Sequence, residues 1–101
     1  MTVIDLLGTT TDLPHSWRSR LLAEVGTARV KVLRMDELPV EQECHAATEV
    51  LLVLDGRLEL LLAGRPVTVR SGELVTVPAG CPHAVRPGSS GTLVIVETAE
   101  S

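Results

Sequence analysis

A chain of 101 residues with a net charge of −4 is enough for one domain, able to bury roughly two-thirds of the surface its unfolded form exposes. Phe and Tyr are absent and Trp17 is the lone aromatic residue, so the core has to be made of Leu, Val and Ala, and Val especially fits a pleated, packed sheet. The acidic balance, with no cluster of Lys and Arg, excludes a nucleic-acid partner, and without aromatic platforms single strands have nothing to stack on.

Met1 to Gly8 carries a short apolar patch broken by Asp5 and preceded by no basic residue, which is not the pattern of a targeting signal. No apolar run has the length of a membrane span. The two cysteines, Cys44 and Cys81, lack zinc-ribbon or Cys-x-x-Cys spacing, so free thiols in a soluble, cytoplasmic protein are expected.

Gly8 to Asp12 is polar and reads as an arm or loop, and residues 1–14 are taken as an N-terminal arm to a barrel spanning 15–101. Leu21 to Val25 is expected to be a strand ending at Gly26-Thr27, although Ser16 could cap a short helix over residues 16–25. Ala28 to Met35 alternates, with Ala28, Val30 and Val32 on the apolar face and Arg29 and Lys31 on the solvated one. Arg57 and Arg70 are read as solvated for the same reason. Asp36 to Pro39 breaks the strand. Beyond Leu54, Asp55-Gly56 predicts a type I′ hairpin returning through Arg57 to Leu62. Val67 to Arg70, Glu73 to Val77, His83 to Arg86 and Thr92 to Thr98 follow as strands, separated by Gly- and Pro-rich turns. Many short strands with turn signals every few residues predict one all-β domain, a sandwich or small barrel.

The stretch Glu43-Cys44-His45-Ala46-Ala47-Thr48-Glu49 carries the chemistry. On an unbroken strand, side chains at odd positions share a face, so Glu43, His45 and Glu49 would point together. Imidazole and carboxylate suit zinc, iron, manganese or nickel, and the apolar run Val50 to Leu54 would anchor them. An exposed acidic turn before a core strand is the alternative reading of the same residues. Cys44, on the opposite face, is expected to be a small core hydrophobe. His83 follows Pro78-Ala79-Gly80-Cys81-Pro82, a loop whose two prolines restrict where the next side chain can go. Cys81 reads as a structural thiol near the pocket mouth. His15 reads as a solvated loop residue and Trp17 as core.

In order, these parts are His45-x3-Glu49-x6-Gly56, then Gly72-x5-Pro78-x-Gly80-x2-His83. This resembles the cupin family, whose motifs are G-x5-H-x-H-x3,4-E-x6-G and G-x5-P-x-G-x2-H-x3-N, over about residues 38 to 98 (motif 1 about 43–56, motif 2 about 72–87). The chain departs from the pattern at three positions. Glu43 replaces the first histidine, Glu37-Leu38 stands where a glycine opens the first motif, and Pro87 replaces the final asparagine.

The resemblance implies a single jelly-roll β-barrel, a double-stranded β-helix, holding one divalent metal through His45, Glu49 and His83. Glu43 then has three readings: a fourth ligand, a general base beside an open metal position, or the mark of a decayed site. The function expected is a metalloenzyme that oxidises, isomerises, cyclises or decarboxylates a small organic substrate. The alternative is a non-catalytic cupin that binds a metal or small ligand and serves as a sensing module. Leu51 to Leu54 and Leu60 to Leu62 are apolar on both strand faces, which predicts further cover and points to a homodimer.

Overall fold

The computed structural model describes residues 2–98. Asp5 caps a short helix α1 (Leu6–Thr11), its carboxylate accepting from the Gly8 N–H at 3.1 Å. The hydroxyls of Thr9, Thr10 and Thr11 donate back to the carbonyls four residues earlier, closing the turn on itself. The loop expected over Gly8 to Asp12 is therefore corrected to a helix. Side-chain back-bonding supplies what helix propensity lacks. This helix packs on the outer face of β2, and Thr10, Leu13, Val32 and Val94 are all buried there.

Eight strands follow: β1 (Arg20–Val25), β2 (Ala28–Met35), β3 (Val40–Glu43), β4 (Glu49–Leu62), β5 (Arg65–Arg70), β6 (Leu74–Val77), β7 (His83–Val85) and β8 (Ser90–Thr98). The helical alternative for residues 16–25 gives way to strand β1. Every pairing is antiparallel, and the curled sheet runs β1-β2-β8-β4-β7-β3, with β5 and β6 also paired to β4.

The hairpin predicted at Asp55-Gly56 is absent, and β4 runs straight through it as one long strand. Its first half pairs with β6 and β8, its second with β5 and β7, and the register shifts between Val53 and Asp55. Gly56 stands opposite Gly91 at the shift, and a Cβ on Gly56 would lie 2.0 Å from the Ser90 carbonyl oxygen. Glycine here serves close backbone approach, not a turn. The turn that does reverse the chain is Ala63-Gly64, where both residues have positive φ (47° and 80°).

Leu33, Met35, Leu51, Val53, Leu58, Leu60, Val69, Val77 and Leu93 form the buried core. On β2 the core residues Leu33 and Met35 have odd numbers, so the strand's inner face is the one that also carries Lys31. The expected assignment of faces is thus reversed. Val32 is buried because α1 covers the outer face, and both faces of β2 are consequently apolar.

Candidate metal centre

β3 and β7 pair so that Glu43 lies opposite His83, and β7 in turn lies along β4 with His83 opposite Leu62. Residues 44–48 are not strand, so the unbroken strand expected from Glu43 to Glu49 is corrected to a strand, a loop and a second strand. The Gly80 N–H donates to the His45 carbonyl at 2.8 Å, and the Ala79 N–H to the Thr48 hydroxyl at 3.3 Å. The proline-flanked loop is thereby stitched to the loop that carries His45, and two distant sequence motifs become one site.

Glu43, His45 and His83 each offer a ligand atom, and those atoms lie within 4.8 Å of one another. Glu43 Oε2 is 3.2 Å from His45 Nε2 and 3.9 Å from His83 Nε2. Glu49 lies outside this tightest trio, but its Oε1 is 3.2 Å from His83 Nε2. His83 and Glu49 are buried, whereas the side chain of Glu43 is 55% exposed at the outer rim. The two imidazoles are tilted at 42° with centroids 5.2 Å apart. Strand alternation grouped Glu43, His45 and Glu49, and the family resemblance implied His45, Glu49 and His83 as ligands with Glu43 as ligand, base or relic; the closest group is Glu43, His45 and His83.

His83 Nδ1 is 3.1 Å from the Cys81 carbonyl oxygen. A carbonyl only accepts, so Nδ1 donates to it and Nε2 is the ring nitrogen that faces Glu43 and Glu49. Two carboxylates thus converge on one ring nitrogen, an arrangement that calls for a proton or a cation between them. Burial pushes the Glu49 carboxyl above its ordinary pKa, the His45 and His83 imidazoles oppose that rise, and Glu97 adds to it. These donors are of the kinds that hold a first-row divalent metal, and the second nitrogen of His83 is already oriented by a backbone carbonyl, as metal-binding histidines usually are.

The site opens into a cavity of about 230 Å³, walled by Leu33, Leu51, Leu58, Leu60, Leu93 and Ile95 and reached by Glu97 and Trp17. Trp17 holds an unusual φ of 63°. Its indole N–H donates to Asp36 Oδ1 at 3.0 Å, its backbone N–H to the Arg34 carbonyl at 2.8 Å, and Ser16 donates to the other oxygen of Asp36. The expectation of Trp17 as core is met in part, since it packs on the core and also lines the cavity.

Sequence reasoning missed Glu97 and misplaced Lys31. The parity of β8 could have found Glu97, because Leu93, Ile95 and Glu97 alternate with Val94 and Val96. Cys44 is exposed and not the buried hydrophobe expected, because the loop that replaces the strand removes the alternation. Cys81 is half-buried against the core, also as a free thiol. His15 is exposed and borders a separate hollow with Arg18 and Arg20. Among the described residues no helix is long and apolar enough to cross a membrane.

Residues 33–98 match the family model for the cupin domain. Over 61 residues, 60% of this chain, the sequence is 41% identical to quercetin 2,3-dioxygenase of Bacillus subtilis (strain 168), and the match spans 17% of that protein's length. A cupin-2 domain containing protein from Shewanella frigidimarina superposes with a TM-score of 0.82 at 20% identity, covering 95% of this chain and 94% of that one. A protein from Neisseria meningitidis superposes equally well, TM-score 0.82, at 19% identity and with 97% and 100% of the two chains covered. At these identities the two solved structures speak for the fold alone.

Proposed function

Because the chain belongs to the cupin family, we propose that it is a metal-dependent enzyme acting on a small organic substrate inside the barrel. In this reading His45, Glu49 and His83 hold a divalent cation, and Glu43 serves as a further ligand or as the group that moves a proton. The observation that carries the reading is the meeting of the Glu43 and Glu49 carboxylates at His83 Nε2, 3.9 and 3.2 Å away, at one end of an aliphatic cavity. When bound, a metal of this kind supplies Lewis acidity or redox chemistry to whatever occupies its open positions.

The chain's own residues do the rest. Leu33, Leu51 and Leu93 exclude water and receive the apolar part of a substrate. The cavity suits a ligand of modest size. His83 is held at Nδ1, so its ring cannot turn away during the reaction. Glu43, at the open rim, is placed to take a proton from an entering substrate and return it to solvent. The partial likeness to quercetin 2,3-dioxygenase favours oxidation over isomerisation, cyclisation or decarboxylation. The reading also takes the protein as cytoplasmic, in line with its two free thiols, and as a homodimer, in line with exposed Leu21 and Val25 on edge strand β1.

Metal analysis of protein purified without added metal is the first test, and near-stoichiometric iron or manganese is expected. No metal, even after reconstitution, would sink the proposal. Glu43→Gln then separates an enzyme from a binding module. An enzyme loses turnover while keeping its metal, and a binder shows altered affinity only.

A further inference from the structure

The inner face of the sheet continues past the metal-binding side chains into a second charged pair. β4 and β8 pair through Val50 and Val96, and continuing that register by one residue sets Glu49 against Glu97. Two carboxylates directly opposed on one face repel each other. β2 pairs with β8 on its other side, Lys31 opposite Ile95 and Arg29 opposite Glu97, which makes Lys31 the diagonal neighbour of Glu97 on the same inner face. Lys31 Nζ sits 2.5 Å from Glu97 Oε1, with the two side chains 22% and 14% exposed. The β4–β8 register sets the Glu97 side chain beside Glu49, whose other neighbour is His83 Nε2 at 3.2 Å. The result is a row, Lys31 to Glu97 to Glu49 to His83, crossing four strands, β2, β8, β4 and β7.

We propose that Lys31 and Glu97 are positioning residues of this site: the ammonium fixes Glu97, and Glu97 fixes the carboxylate of Glu49 toward His83 and the cation. The inference rests on the metal-binding reading above. It extends that reading to two residues outside both sequence motifs. Orienting groups behind a metal ligand are commonly worth about 10- to 100-fold in affinity.

The alternative is that Lys31 and Glu97 act on the cation only through their charges, and the two accounts predict opposite orders. As a bare charge, Lys31 repels a divalent ion, so Lys31→Met would tighten binding, and Glu97→Gln would weaken it. As a positioning pair, Lys31→Met loosens binding despite the extra net negative charge. Glu97→Gln then stays near wild type, because an amide can still accept from Lys31 and donate to Glu49.

The experiment titrates cobalt(II) into the full metal-free chain by calorimetry, with the visible cobalt absorption recorded alongside and far-UV circular dichroism checking the fold. Expected are a loss of about 10-fold or more in affinity with a changed cobalt spectrum for Lys31→Met and for Glu97→Leu, and affinity within about threefold of wild type for Glu97→Gln. Equal or tighter binding by Lys31→Met overturns the proposal, as does an unchanged spectrum and affinity in Glu97→Leu. Should Lys31→Met fail to fold, the contrast between Glu97→Leu and Glu97→Gln decides alone. A wild-type chain that takes up no cobalt refutes the metal-binding reading itself, whereas a wild type that binds with indifferent variants refutes only the role of the pair.

Discussion

Val53, Leu58 and Leu60 lie on one part of the barrel's inner wall, and Glu43, Glu49 and His83 on another, carried by the same or adjacent strands. In the first region the packing is almost wholly apolar and exposure is 0 to 1%. Each contact there is satisfied by the fold itself. In the second region carboxylates and imidazoles face one another, and burial raises the pKa of Glu49. β4 joins the two, with Glu49 at its start and Leu58 and Leu60 beyond the Gly56 crossing. Fold stability and site chemistry are thus separable along a single strand, and substitutions should affect one without the other.

The largest effects belong to the aliphatic region. Leu58→Ala should cost about 2–5 kcal/mol in urea unfolding, the range for emptying a fully buried leucine site. Gly56→Ala should cost a comparable amount, because the added methyl meets the Ser90 backbone and not a yielding side chain. Gly64→Ala makes the useful control: φ is 80°, close to the 79° of Gly56, but nothing lies within 4 Å of its Cβ. Only the backbone penalty of about 1–2 kcal/mol should appear there. Equal losses at the two glycines would mean that the β4–β8 crossing is not a close backbone contact.

The next effect comes from the polar region and requires a cation. Zinc or manganese at 100 times its dissociation constant should stabilise the wild type by about 2.7 kcal/mol. For a domain of this size that corresponds to roughly 10 °C or more in thermal midpoint. His83→Ala should abolish the increment, and the metal-free protein should still fold, because His83 lies outside the apolar cluster. An equal thermal shift in wild type and His83→Ala would place the cation elsewhere on the protein.

A smaller effect, dependent on pH, tests the burial of Glu49 directly. The Glu49 pKa is raised by burial, so the folded metal-free protein holds that proton more tightly than the unfolded chain does. Its contribution is fully present below the ordinary carboxylate value and is lost as pH climbs through the raised one. Stability of the metal-free wild type should therefore fall across that window, and Glu49→Gln should flatten the curve. Saturating metal should also remove the decline, since a bound cation favours the ionised carboxylate. A metal-free wild type whose stability is level across the window would show that Glu49 is not desolvated.

Most of this architecture was legible because alternation and turn chemistry are local. β1, β2, β5 and β6 fall close to their expected ranges, and His83 was found from the stiffness of the loop before it. The failures have physical causes too. Asp55-Gly56 carries the dipeptide of a tight turn, and nothing local shows that its glycine serves an approach to Gly91, 35 positions away in the chain. Lys31 was assigned to solvent because Val32 looked like the core face, and only the docking of α1 explains why Val32 is buried from outside. Glu43 was recognised as chemically important, yet its place in the closest trio depends on its pairing opposite His83, a non-local fact.

The smallest expected effect lies at the rim, where Asp36 pins Trp17. The Asp36 carboxylate accepts from Ser16, the Leu38 N–H and the Trp17 indole, and these hydrogen bonds, Ser16 first, hold its pKa below the ordinary aspartate value. The contribution is present above that ordinary value and is lost as pH falls through the lowered one, the reverse of Glu49. The left-handed backbone of Trp17 costs on the order of 1–3 kcal/mol, so the side chain keeps its place only while the clamp holds. Because Trp17 is the only tryptophan, its fluorescence reports this one contact. Acidification should shift the emission of the wild type before far-UV circular dichroism changes, and Asp36→Asn should remove that early step while leaving the aliphatic core as stable as before. An early step that persists in Asp36→Asn would mean that the clamp is not what holds the indole against the cavity, and the rim would then belong with the aliphatic region in being held by packing alone.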